Sequence, residues 1–128
     1  MKKVILVFLL FCTSTVIAQN EISSCQRLHH SKLKFINDNG LVDYFQINGN
    51  EHLEYQEAGG PYIKSTLKWN NECEYTARIV EVSLVGGFFK VGDELTATIL
   101  KIVDNTVYMK TIFKEFEMEF TYEIVEYL

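Results

Sequence analysis

The stretch Phe116-Glu117-Met118-Glu119-Phe120-Thr121-Tyr122-Glu123-Ile124 decides the fold. Phe116, Met118, Phe120, Tyr122 and Ile124 alternate with Glu117, Glu119, Thr121 and Glu123, and Glu115 extends the pattern backwards. Successive side chains of a strand point to opposite faces, so strict alternation gives one buried and one wet face. A helix would scatter the glutamates around its whole circumference.

The same period recurs upstream, punctuated by turns. Lys32 to Ile36 is a short strand ended by Asn37-Asp38-Asn39-Gly40, a cluster of turn formers. Leu41 to Ile47 follows, and Asn48-Gly49 reads as a tight hairpin turn into His52 to Glu57, because both turn residues tolerate positive φ. After Ala58-Gly59-Gly60-Pro61 comes Tyr62 to Trp69, with Ile63, Ser65, Leu67 and Trp69 on one face and Lys64, Thr66 and Lys68 on the other. Asn70-Asn71-Glu72 turns into Tyr75 to Val85, which closes at Gly86-Gly87. Leu95 to Val103 and Thr106 to Phe113 flank the hairpin signal Asp104-Asn105. The segment Phe88 to Glu94 fits a loop, a helical turn or a short strand.

These are eight strands joined by short connections, which force antiparallel neighbours. The expected fold class is all-β: about eight antiparallel strands in an up-and-down barrel or a strongly curled sheet, lipocalin-like in outline. Closure into a barrel would remove the free edges that such a sheet otherwise exposes.

The chain has 128 residues, the length of one domain at roughly 100–200 residues each. Its start reads as a processing signal. Lys2 and Lys3 form a positive n-region, Val4 to Cys12 is unbroken apolar, and a small-residue region ends in Val16-Ile17-Ala18. This pattern predicts a signal peptide over 1–18, cleaved after Ala18, and a single all-β domain over 19–128. Val4 to Ala18 falls short of the ~20 apolar residues that span a bilayer. The expected destination is the periplasm or the medium, with no membrane anchor after cleavage.

Removing Lys2 and Lys3 leaves 12 − 2 = 10 basic residues against 17 acidic ones, a net charge near −7. An acidic surface repels phosphate backbones, so nucleic acid is not an expected partner. Removing Cys12 as well leaves Cys25 and Cys73, which pair most simply in an oxidising compartment. Ile22-Ser23-Ser24-Cys25 has the look of a lipoprotein cleavage box, but Gln19, Asn20 and Glu21 separate it from the apolar run that such a box should abut.

Cys25, Phe35, Trp69, Asn71, Cys73 and Tyr75 carry a resemblance. An early Cys before a strand ending in Phe, and a later Trp-x-Asn-x-Cys-x-Tyr element, resemble a group of small exported flavobacterial-type proteins. Gly92-Asp93-Glu94 before Leu95 resembles that group's later strand entry. The resemblance implies the fold and the disulfide and brings no activity with it. Lys32-Leu33-Lys34-Phe35 stands where lipocalin barrels carry Gly-x-Trp.

Catalytic signatures are lacking: there is no Gly-x-Ser-x-Gly, no phosphate-binding glycine loop and no Cys-x-x-Cys. His29, His30 and His52 match no zinc-finger spacing with Cys25 and Cys73, and a disulfide would remove both thiolates. They read as solvated histidines. Glu115, Glu117 and Glu119 lie about 6.8 Å apart along one strand face, within reach of a hydrolytic carboxylate pair. The charged exterior of an antiparallel sheet accounts for them without a cleft. No catalytic residue, cofactor or metal is expected.

Two functional readings remain. In the first, a non-enzymatic barrel, monomeric, binds a small apolar or amphipathic ligand in its interior or mouth, with Trp69 and Tyr75 as ligand or core aromatics. In the second, a packed envelope or secreted module without a cavity binds a protein partner through an exposed edge or loop, such as Ala58 to Tyr62 or Gly86 to Lys90 with Phe88 and Phe89. A cavity binder needs inward residues too small to fill the interior. A packed module would fill it with Trp69, Phe116, Met118 and Phe120.

Overall fold

The structure, a computed structural model, describes residues 22–36, 38, 40–57, 59–84 and 86–128. Residues 1–18, read from the sequence as a signal peptide and including Cys12, and Asn37, Asn39, Ala58 and Val85, lie outside the described residues. A short helix α1 (Ile22–Arg27) precedes eight strands: β1 (His30–Ile36), β2 (Val42–Asn48), β3 (Glu51–Gln56), β4 (Tyr62–Asn71), β5 (Glu74–Val82), β6 (Glu94–Val103), β7 (Thr106–Phe113) and β8 (Phe116–Tyr127). Each strand pairs antiparallel with the next, and β8 returns to β1, so the sheet is a closed barrel in sequence order.

The expected strands are present with shifted ends. β1 begins two residues earlier than Lys32, and β5 ends at Val82 rather than Val85. The segment Phe88 to Glu94 lies in the β5–β6 connection until Glu94 opens β6. The hairpin turn falls on Gly49-Asn50 rather than Asn48-Gly49, because Asn48 still pairs with Glu51. Gly49 takes φ 66° there, the left-handed region that a hairpin corner requires and glycine adopts without steric penalty. Helix α1 was not legible. Six residues are too few to show helical periodicity, and the segment is held by the disulfide and by the burial of Leu28.

The alternation holds along most of both stretches, but Phe116, read as a member of the buried face, is exposed at the start of β8 beside the β7–β8 turn. On β4, Ser65 and Leu67 are buried and Lys64, Thr66 and Lys68 exposed. On β8, Tyr122 and Ile124 are buried and Glu117, Glu119 and Glu123 exposed. The core gathers Leu33, Ile47, Leu67, Tyr75, Ile99, Val107, Met109 and Tyr122 inside the barrel.

An up-and-down barrel puts alternate connections at opposite ends. At one end, the base, lie α1 and the β2–β3, β4–β5 and β6–β7 turns. Cys25 in α1 is bonded to Cys73 in the β4–β5 turn, with Cα atoms 5.2 Å apart. The Cys25 sulfur that a lipid would take is thereby occupied. Next to the bridge, Trp69 Nε1 donates to the Gly49 carbonyl at 2.9 Å. The Trp69 ring stacks on His29 at 3.5 Å and meets Tyr75 edge-on at 5.0 Å. His29 Nε2 donates to the Glu72 carbonyl at 2.9 Å, and Gly49 N–H donates to the His29 carbonyl at 2.7 Å. Helix, two turns and an aromatic stack thus plug the base. The opposite end, the mouth, carries the β1–β2, β3–β4, β5–β6 and β7–β8 connections.

Candidate functional site

Above the plug the barrel is hollow. A cavity of about 200 Å³, partly open to solvent, runs between the strands. Small inward residues leave the room: Ser65 on β4 and Ala77 on β5 contribute little volume to the wall. An engineered apolar cavity of ~150 Å³ accepts benzene, so this one suits a molecule of roughly eight to ten non-hydrogen atoms.

Most of the wall is apolar, with Phe35, Phe45, Ile47, Ile79, Leu95, Met109, Phe113 and Phe120 in it. The aromatic rings form a connected set. Phe45 meets Tyr122 at 4.8 Å, and Phe35 meets Phe120 at 5.8 Å and Tyr122 at 6.0 Å.

Into this wall β2 and β3 deliver polar groups. Phe45 sits opposite Glu54, and Ile47 opposite His52. Directly opposed residues of an antiparallel pair share a face, so Glu54 and His52 point inward with Phe45 and Ile47. Asp43 lies two residues before Phe45 on the same face and also lines the cavity. Burial in this apolar surround raises the Glu54 carboxyl from 4.5 to about 7, and the neighbouring Asp43 adds to the rise. Burial lowers His52 to about 4, so its ring is neutral at physiological pH. His52 Nδ1 is shielded from solvent and has no hydrogen-bond partner among the described residues. Burial raises both Tyr75 and Tyr122; Glu54 adds to the first, and Tyr75, Glu54 and Asp43 to the second. Among the described residues the Tyr75 hydroxyl donates only a long contact, to Met109 Sδ at 3.9 Å.

Asp43 and Glu54 also border a crevice beneath the β5–β6 connection, shared with Pro61, Leu84, Phe88 and Phe89. The acid pair therefore stands where the interior meets the mouth. Among the described residues the cavity wall carries no Lys or Arg, and neither acid forms an ion pair.

The residues singled out from the sequence part company here. Tyr75 lines the cavity and Trp69 does not; Trp69 belongs to the plug. Phe88 is 63% exposed, whereas Phe89 is half-buried and closes part of the cavity roof. The two rings lie 5.1 Å apart and both pack on Phe113. Of the residues a packed interior would have used, Phe116 is 55% exposed. Glu115, Glu117 and Glu119 lie on the exterior, where Glu117 pairs with Lys110 at 3.5 Å. The reading of all three histidines as solvated is corrected: His52 is an interior residue, and His29 is stacked in the plug.

Asp43, Glu54 and His52 were missed because β3 offers Leu53 and Tyr55 as its apolar face. The structure turns that face outward, where Tyr44 stacks on Tyr55 at 5.4 Å and Lys32 Nζ lies 4.5 Å from the Tyr44 ring. The signal was the hairpin itself. Once Phe45 and Ile47 face inward, a two-residue turn fixes His52 and Glu54 on the same side.

Comparison of the chain with protein-family models, with curated proteins and with solved structures finds no match.

Proposed function

We propose that this chain is an exported, non-enzymatic barrel protein that carries a small apolar or amphipathic ligand in its interior. One observation carries the reading: the barrel encloses about 200 Å³ of space walled by aromatic and aliphatic side chains, with a few convergent polar groups. Ligand sites are typically concave and mostly apolar, with a small number of placed polar groups that set orientation. A packed interaction module has no use for a hollow interior, because each unfilled volume weakens packing.

The mouth fits the same reading. Phe88, Phe113 and Phe116 form a ring cluster beside the opening, with Phe88 to Phe113 at 5.4 Å and Phe88 to Phe116 at 6.4 Å. Apolar rims lower the barrier for an apolar molecule leaving water.

The test is native mass spectrometry of the mature protein from its own host, beside the Ala77→Leu variant. A small-molecule adduct that leaves on denaturation, and that Ala77→Leu lacks, is the expected result. A bare mass that also takes up no added benzene or 2-phenylethanol would overturn the reading.

A further inference from the structure

We propose that the interior site selects a small organic cation: an amphipathic amine whose ammonium group lies against Asp43 and Glu54 and whose apolar body fills the aromatic cavity. This rests on the reading of the barrel interior as a ligand site and adds the chemical class of the occupant.

The first argument is uncompensated charge. Two carboxyl groups from adjacent strands converge in an apolar wall, and no Lys or Arg among the described residues shares that wall. Buried acids are ordinarily paired with a cation or held neutral, because an unpaired buried charge is strongly unfavourable. The chain's own cations stand elsewhere: Lys34 pairs with Glu123 and Lys110 with Glu117 on the exterior. A cation brought by a ligand is the complement that the wall lacks.

The second argument is independent of the acids. His52 lines the same cavity, its Nδ1 is buried, and no group among the described residues bonds to it. Buried polar atoms are ordinarily hydrogen-bonded, and a small shift of the ring would let a polar group on a molecule inside the barrel supply the partner. A neutral imidazole does not repel an ammonium, as a charged one would. Aromatic faces complete the match. Phe45, Tyr75, Phe120 and Tyr122 surround the space, and ring faces attract cations within about 6 Å.

Charge state follows from the same arrangement. Glu54 is faced by Asp43 from β2, by Tyr75 from β5 and by Tyr122 from β8, with His52 beside it on its own strand. Binding of an ammonium favours ionised Glu54, so binding releases a proton. Amine affinity then increases with pH through the neutral range, as Glu54 loses its proton.

The experiment compares three near-isosteric probes by titration calorimetry: 2-phenylethylamine, 2-phenylethanol and phenylacetate. At pH 8 the amine should bind roughly tenfold or more tightly than the alcohol, the scale of one charge-assisted contact. Phenylacetate should bind weakest. Glu54→Gln and Asp43→Asn should each reduce the preference for amine over alcohol and leave alcohol binding in place, with near-ultraviolet dichroism reporting that both variants fold. Amine affinity should fall between pH 8 and pH 6, while alcohol affinity stays level. Equal binding of amine and alcohol, or tighter binding of phenylacetate, would overturn the cation assignment and leave the ligand barrel standing. Failure of all three probes would overturn both, because the alcohol tests the cavity alone.

Discussion

Ile47 and His52 face each other across the β2–β3 hairpin, and both point into the barrel. An aliphatic side chain and an imidazole thus share one wall, one strand step below the Phe45–Glu54 pair. Burial shifts the two polar members, His52 and Glu54, in opposite directions, and each adds its own slope to the pH dependence of stability.

Glu54 titrates near 4.5 when unfolded and at about 7 when folded. The unfolded chain loses this proton first, so Glu54 makes the fold less stable as pH rises from 4.5 to about 7. His52 titrates near 6.5 when unfolded and at about 4 when folded. The unfolded chain gains that proton first, so His52 makes the fold less stable as pH falls from 6.5 to about 4. Between 4.5 and 6.5 the two slopes oppose and nearly cancel. Single variants should unmask them. His52→Gln should lose stability with rising pH, by up to about 1.4 kcal/mol per unit, and Glu54→Gln should gain it. Urea midpoints at about pH 5 and about pH 6 decide this; parallel slopes in the two variants would refute it.

Trp69 belongs to the plug at the base of the barrel. Its indole N–H is satisfied by Gly49, its face by His29 and its edge contact by Tyr75. Trp69→Ala should destabilise by about 3 kcal/mol, at the low end for a large aromatic because the ring is only partly buried. Trp69→Phe should recover the stacking and lose the hydrogen bond, worth about 1 kcal/mol. Thermal unfolding of the two variants checks the order.

The disulfide joins residues 48 apart. Loop closure of that length stabilises by ~4 kcal/mol in the chain-entropy model. Reduction, or the double variant Cys25→Ser with Cys73→Ser, should lower the urea midpoint accordingly. Hydrogen exchange should accelerate first at Leu28 and His29, whose amides bond to the Cys25 and Gln26 carbonyls. Uniform acceleration through all eight strands would instead place the bridge's effect in the unfolded chain alone.

Ala77 is a small, buried residue of the cavity wall. Ala77→Leu adds three carbons where room exists, and should raise stability by about 0.5–2 kcal/mol, the usual yield of cavity filling. A fall in melting temperature would mean that the wall around Ala77 is already close-packed.

The strand count, the antiparallel order and the disulfide were legible because each rests on a short-range rule: alternation, turn chemistry and two cysteines left to pair. Closure was left open between a barrel and a curled sheet, because the pairing of β8 with β1 joins the two ends of the domain and rests on no short-range rule. The interior chemistry was harder to read. On β3 the apolar Leu53 and Tyr55 lie outside and His52 and Glu54 inside, the reverse of what hydrophobicity suggests. Register across the hairpin outweighs residue polarity there, since a strand cannot turn over without its partner. Phe88 and Phe89, adjacent and identical in sequence, separate into an exposed rim residue and a half-buried roof residue. Only the path of the β5–β6 connection distinguishes them.

The seam between the first and last strands has a consequence for the order of events in biosynthesis. Leu33 pairs with Ile124, and Lys34 with Glu123, so one side of β1 has no partner until β8 has been made. Six of the seven hairpins can form while the chain is still growing, yet the cylinder shuts only after the C-terminal strand arrives. Premature folding is thereby discouraged, and a ribosome stalled before residue 116 leaves an open sheet with two unsatisfied edges, a form suited to capture by chaperones or proteases.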